Sequence, residues 1–294
     1  MTTPAASIPD HLAADDILAM PAGRRMEPLL ALAQDLLTRP NRDRGTVEAV
    51  VQGLVELIRN CAGDSRQRLA MGEALGRLGD PRLRVPEDPA YWSTIDAPFG
   101  EFAVGRFPVT TAEFRAWVDS GGYDRDEGWS PAGLAWRNAG HSRWLTLAQA
   151  PDVAELVLPN QPVVGVNWYE AEAYAIAKGA RLLTLEERRY VVRGPEKRPY
   201  PWGEPFGSGN ANTREEVLNK PCAVGLYFSD RTPDGVWDLA GNVAEWCGDG
   251  SDEGRIIHPG SWMQPSMASW AKALEVIAPE TRSGDLGFRL AKDA

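Results

Sequence analysis

All eleven tryptophans of this 294-residue chain lie at or after Trp92. A buried indole brings a large apolar body and one N–H that needs an acceptor. So many of them require a thick core laced with reachable backbone carbonyls, and the preceding residues must fold by other means. That first stretch reads as helices. Met26–Thr38 places Leu29, Leu30, Leu32, Ala33, Leu36 and Leu37 on a wide apolar face and stops at Arg39-Pro40. Thr46–Asn60 follows, with Thr46 as the expected N-cap and Val47, Val50, Val51, Leu54, Leu57 and Ile58 on one side. Ser65–Leu78 is a further helix, ended by Gly79-Asp80-Pro81. Residues 1–85 are therefore expected to form a small all-α region, an adaptor or scaffold whose helices dock a partner protein, with Pro81–Pro89 as the linker.

After Trp92 the strands are short, and Gly, Pro and Asn punctuate them often. The spacing predicts two stronger helices here. Thr110–Ser120 has Thr110 or Thr111 as its cap and Phe114, Trp117 and Val118 on one face. Asn167–Lys178 has Asn167 as its cap, Glu170 at the third helical position and Gly179 as the left-handed stop. Residues 86–294 are thus expected to be an α+β domain held by aromatics.

The formal net charge of −10 argues against a broad nucleic-acid-binding surface and leaves room for a local basic patch. Met1 to Pro9 has neither the charged nor the apolar part of a signal peptide, and no stretch approaches the length of a membrane span, so a cytoplasmic protein is expected. Cys61, Cys222 and Cys247 are read as reduced thiols, the latter two as small buried hydrophobes. His11, His141 and His258 are far apart, no HExxH or HxxxH pair occurs, and His258 is read as polar surface.

The second region resembles the formylglycine-generating-enzyme (sulfatase-modifying-factor) family of the C-type-lectin-like fold. Phe107-Pro108-Val109-Thr110 with Glu113-Phe114 resembles the start of that family's first helix. Gln161–Ala171, Arg181–Arg188 and Tyr200-Pro201-Trp202-Gly203 resemble successive family segments, with departures at Leu183, Leu185 and Arg188. Asp234–Trp246 is similar to the signature "nGvyDmaGNVwEW", and Pro259–Trp262 and Gly287–Arg289 to "GGSW" and "GFR". Gly72–Leu83 resembles the lead-in that precedes this domain in multi-domain bacterial signalling and conflict proteins. The resemblance implies a structural calcium site at Asn242, the Val243 carbonyl and Glu245.

In the family the oxidase uses two cysteines just after "GGSW" to bind copper(I). Here the stretch reads Met263-Gln264-Pro265-Ser266-Met267-Ala268-Ser269, without cysteine. No copper is expected, formylglycine-generating activity is disfavoured, and Met263 and Met267 are read as packing. A sulfoxide synthase of the family would need a histidine triad from a preceding helical domain, and the HxxxHxE pattern is missing. The expected function is binding of a protein or small-molecule ligand, with no nucleic acid and no membrane. The interval 263–286 is similar in length to the variable region of retroelement-diversified proteins. Its expected binding residues, with the adjoining Trp262, are Met263, Gln264, Ser266, Ser269, Trp270, Lys272, Glu275, Glu280 and Asp285. The alternative is a metal-dependent oxidoreductase of the same superfamily, similar to the pyoverdine-chromophore or sulfoxide-synthase members, using a non-cysteine site in place of the missing pair; a redox metal held by His258, Cys222 or Cys247 would speak against a binding-only protein.

Overall fold

Apolar residues three and four apart shape the N-terminal helices. The computed structural model describes residues 14–294, so His11 lies outside the described residues. Helices α1 (Ala14–Leu18), α2 (Ala22–Thr38), α3 (Arg44–Arg59) and α4 (Ser65–Leu78) form a first unit that ends at Arg82. Leu29, Leu36, Val50, Leu54, Leu57 and Leu75 make its core, as the helical periodicity requires. The cap of α3 is Asp43, not Thr46. The Asp43 carboxylate accepts the Thr46 N–H at 2.7 Å, so the helix starts about one turn earlier than a Thr46 cap would place it. Gly53 sits in mid-helix, where glycine costs about 1 kcal/mol relative to alanine. A Cβ there would lie 2.7 Å from Leu18 and 2.9 Å from Leu29, so the glycine lets α1 and α2 approach.

The second unit begins at Leu83. In order it contains β1 (Trp92–Ala97), β2 (Gly100–Gly105), α5 (Thr111–Asp119), α6 (Pro131–Asn138), α7 (Trp144–Ala148), α8 (Trp168–Ala177), β3 (Arg181–Leu182), α9 (Leu185–Arg193), β4 (Ala244–Ser251), β5 (Gly254–His258), β6 (Glu275–Ile277), β7 (Leu286–Phe288) and β8 (Leu290–Asp293). One sheet has the order β1-β2-β8-β3 and the other β6-β5-β4-β7. The first is antiparallel throughout, while β4 and β7 run parallel in the second. The last strand closes the first sheet by lying between β2 and β3, which brings the two ends of this unit together. Only Arg289 separates β7 from β8, so the chain steps from one sheet to the other across that single residue. Among the described residues no helix is long and apolar enough to cross a membrane.

The caps read from sequence explain where α5 and α8 begin. Thr110 and Glu113 form a reciprocal capping box, as do Asn167 and Glu170, and Gly179 follows α8 with φ +62°. The core between helices and sheets is aromatic. Phe114 lies 5.1 Å from Trp144, 5.2 Å from Trp117 and 5.5 Å from Tyr174, centroid to centroid. Indole N–H groups then bind loop carbonyls: Trp144 to Val164 at 2.8 Å, Trp168 to Cys247 at 2.9 Å and Trp246 to Val166 at 3.0 Å.

Phe114→Ala should destabilise this unit by about 3–5 kcal/mol. Trp144→Phe, which strands the Val164 carbonyl, should cost about 1–3 kcal/mol. Urea titration followed by tryptophan fluorescence checks both, because every tryptophan belongs to this unit.

Candidate functional site

The β5 strand ends in His258, and Pro259-Gly260 turns the chain out into the segment that returns at β7. This excursion is fixed at its base. The Trp262 N–H donates to the Asn242 carbonyl at 3.1 Å, and its indole donates to the Gly284 carbonyl at 3.2 Å. The Ser261 hydroxyl donates to Asp285 at 2.6 Å, and the Ser283 hydroxyl donates to the other carboxylate oxygen. The Glu215 carboxylate accepts from the Ser266 N–H at 2.9 Å, and the Arg214 N–H binds the Gln264 carbonyl at 3.0 Å. Arg282 clamps the far end: it pairs with the fully buried Glu170 and donates to the Gly165 carbonyl at 2.7 Å.

On this frame the segment presents apolar side chains to solvent. Met263 is 45% exposed, Met267 76%, Trp270 46%, Leu274 42% and Val276 61%. The methionine pair, read as packing, is therefore surface. Lys272 places its ammonium 5.7 Å from the Trp270 ring centroid. Gln264, Glu275 and Asp285 share a small cavity of about 180 Å³ with Thr281, Ser283 and Pro259. Glu280 is exposed at another edge, beside Tyr169, and Ser266 and Trp262 are half-buried.

Two of the expected binding residues are instead internal. Asp285 is buried because it ties Ser261 to Ser283, and Ser269 is buried beneath Trp270 in the short helical turn 266–269. Met267, Leu274 and Val276, exposed on the same segment, were not among the residues expected on this face. Val276 carries no local signal: its strand runs exposed, exposed, half-buried over Glu275–Ile277, without the alternation that would mark an outward side chain. Arg282 and Glu215 were missed as anchors. Their partners lie far away in sequence, and nothing local marks them.

The groups that could carry chemistry are committed elsewhere. His258 is fully buried, not surface. Its Nε2 lies 3.1 Å from the Trp270 carbonyl and its Nδ1 accepts the Gly260 N–H at 3.3 Å, a pairing that needs the neutral Nε2–H tautomer. Burial, reinforced by the Arg188 charge, holds this imidazole well below its ordinary 6.5. Cys222 and Cys247 are both buried, as expected, and burial pushes the Cys247 thiol up to about 12, so it is no thiolate near neutral pH. Among the described residues no three His, Cys, Asp or Glu side chains converge on a point that could hold a metal ion.

The expected calcium ligands do not fit an ion. Asn242, at φ +69°, uses its side-chain amide on the backbone of Cys222, accepting at 2.9 Å and donating at 3.1 Å. One Glu245 oxygen takes Arg188 Nε at 2.9 Å and the other takes Arg289 at 2.8 Å, all three side chains being almost fully buried. Arg188 also donates to the Leu239 carbonyl at 2.7 Å. Both guanidiniums stand where a cation would have to approach Glu245, and their charge would repel it. Arg188, noted above as a departure from the family pattern, supplies the positive charge itself. Desolvation favours the neutral form of Glu245, but Arg289 and Arg188 outweigh it and hold the carboxyl below its ordinary 4.5.

Residues 71–294 match the sequence model of the sulfatase-modifying factor enzyme 1-like domain. The chain belongs to that family. It is 33% identical over 249 residues to a hercynine oxygenase of Mycolicibacterium thermoresistibile, covering 71% of this chain and 52% of that protein. The chain thus spans about half the length of the hercynine oxygenases it matches. It is 28% identical to the mouse inactive C-alpha-formylglycine-generating enzyme 2, over 75% of this chain and 88% of that one. Among solved structures, PvdO from Pseudomonas aeruginosa aligns with a TM-score of 0.48 and 23% identity, over 66% of this chain and 81% of that one.

Two outcomes follow from the buried charges. Calcium and chelators should both leave the melting midpoint unchanged, whereas Glu245→Gln should cost about 3–5 kcal/mol by stranding two guanidiniums. Both folded-state values are lowered, so in each case the unfolded chain takes up the proton first as pH falls. His258 should therefore subtract stability below about 6.5 and Glu245 below about 4.5, while Glu113 and Asp230, pushed up by burial to about 7 and about 6, add stability over the same range. His258→Gln should remove the His258 part, so that the variant loses less stability than the parent between about pH 7 and 5 in a pH series of denaturant titrations.

Proposed function

We propose that this protein is a recognition module in which the family scaffold displays residues 263–276 to a protein partner. The carrying observation is concentration: of the large apolar side chains exposed among the described residues, Met263, Met267, Trp270, Leu274 and Val276 fall within one short segment. Apolar groups gathered on a hydrogen-bonded frame are costly in water and are the usual mark of an interface. Trp270 and the two methionines suit the role, the indole as an anchor and the thioethers as adaptable contacts. Lys272 and Glu275 give the rim opposite charges that would set orientation. The frame beneath is independent of these side chains, so the exposed positions of 263–276 are the part that could be exchanged, as in a diversified binding protein, while Arg282, Ser283 and Asp285 hold the frame. The buried His258, Cys222 and Cys247 support the same reading.

The second reading, oxygenase chemistry, is favoured by the names of the hercynine oxygenase relatives. It requires metal ligands from residues beyond those described, or from another chain. The two readings separate in one experiment. A photo-crosslinking amino acid at position 270, introduced in producing cells, should yield a discrete protein adduct that Met267→Asp reduces several-fold, and the purified protein should carry no stoichiometric redox metal. Stoichiometric iron or copper with no adduct at position 270 would sink the recognition reading.

A further inference from the structure

A second concavity lies beside α9, lined by residues outside the 263–276 segment, and has a volume of about 720 Å³. One wall is the face of α9 that carries Glu186, Arg189, Tyr190 and Arg193, and the loop after the helix adds Lys197. The opposite lip is the turn between β1 and β2, where Phe99 is 47% exposed and meets Tyr190 edge-on at 5.7 Å. In a chain of net charge −10, this groove is lined by three cations and by the two carboxylates Glu186 and Asp249.

The cations are not occupied by the helix end. The Tyr190 carbonyl accepts the Gly194 N–H at 2.7 Å, the Arg193 carbonyl accepts the Arg198 N–H at 2.9 Å, and the Val192 carbonyl accepts from the Arg198 side chain at 3.3 Å. Among the described residues neither the Arg193 guanidinium nor the Lys197 ammonium has an ion-pair or hydrogen-bond partner. Arg189 donates through Nη2 to the Lys272 carbonyl at 2.8 Å, but its Nε is buried with no acceptor. Arg189 still lines the groove together with Arg193 and Lys197, so an oxyanion bound there would face three cations.

The charges are also ordered along the groove. Glu186 lies in the first turn of α9, and Asp249 accepts the Leu185 N–H at that same end, at 2.5 Å. Arg193 is in the last turn, roughly 10 Å away at 1.5 Å per residue. The aromatic pair Phe99 and Tyr190 belongs between these poles. A complementary ligand carries an anion at one end, a planar ring in the middle and hydrogen-bond donors at the other end. A bare oxyanion lacks the ring, and an aryl carboxylate lacks the donors.

We infer that this groove binds a small phosphorylated ligand of the nucleoside monophosphate class, with its phosphate on Arg193, Lys197 and Arg189, its ring against Phe99 and Tyr190, and its amine or hydroxyl donors on Glu186 and Asp249. The volume falls within the ordinary range for such ligands. The groove adjoins the 263–276 segment through Arg189 on the Lys272 carbonyl, but its lining residues lie outside that segment and the inference does not depend on the recognition reading.

The test is calorimetric titration of the full chain with the four ribonucleoside 5′-monophosphates, with orthophosphate, and with the corresponding nucleosides. At least one monophosphate should bind saturably at one site. Orthophosphate and the nucleoside should each bind at least about tenfold more weakly. Arg193→Glu and Lys197→Glu should each weaken binding by about tenfold or more, and Phe99→Ser by about fivefold. Phe99 and Lys197 are exposed and Arg193 is half-buried, and unchanged tryptophan fluorescence would show that the variants fold. The same charge reversal at Arg59, in the helical unit, should leave binding as it is. The inference fails if none of the four monophosphates saturates, if orthophosphate binds as tightly as the nucleotide, or if Arg193→Glu and Lys197→Glu leave affinity unchanged.

Discussion

A domain built from short strands and long connections has more buried backbone carbonyls than its ladders can use, and here indole N–H groups take up several of them. Trp144, Trp168 and Trp246 reach carbonyls of Val164, Cys247 and Val166, so the chain running into α8 is fastened to β4 and α7 by side chains in place of a sheet. Each of these rings also fills the core around it, so one residue supplies both packing and polar satisfaction. The shape of every surface above this layer depends on that economy. It is why irregular backbone can carry the 263–285 segment without wandering.

A second constraint sits where the sheets meet. Arg289 is the sole residue between β7 and β8, and its guanidinium spans the carbonyls of Gly105 and Trp237 as well as Glu245. The chain's crossing between sheets is thus made at a charged residue with several fixed partners. Unfavourable as isolated buried charges are, the geometry around Glu245 answers nearly every donor that points at it. The 263–285 segment starts and ends on this junction, since Trp262 hangs from Asn242 and Asp285 leads directly into β7.

Much of the architecture was legible in the sequence because it is written locally. Thr110 with Glu113 and Asn167 with Glu170 announce helix starts within four residues, and the family motifs follow one another in order. What escaped reading depends on partners distant in the chain. His258 is buried because the Trp270 turn folds over it, and no neighbour in sequence signals that. Arg188 looks like an exposed helical charge until Glu245, 57 residues on, is placed against it. Met263 and Met267 carry the spacing of a packed helical pair, but the residues between them form an extended turn that leaves both facing water. Asp285 was assigned to the face on polarity alone, whereas its two serine partners make it part of the support. The groove along α9 was hidden for the same reason: its aromatic lip comes from a hairpin almost a hundred residues earlier.

Arg188 has one further consequence. A protein that relies on a bound ion is stabilised in proportion to the logarithm of that ion's free concentration, and it loses the contribution when the ion dissociates. A guanidinium attached through its own backbone has no dissociation step and no occupancy to be less than one. The junction beneath the 263–285 segment is complete as soon as the chain folds, whatever the ionic supply around it. A surface erected on such a junction keeps its shape without also reporting the calcium level around it.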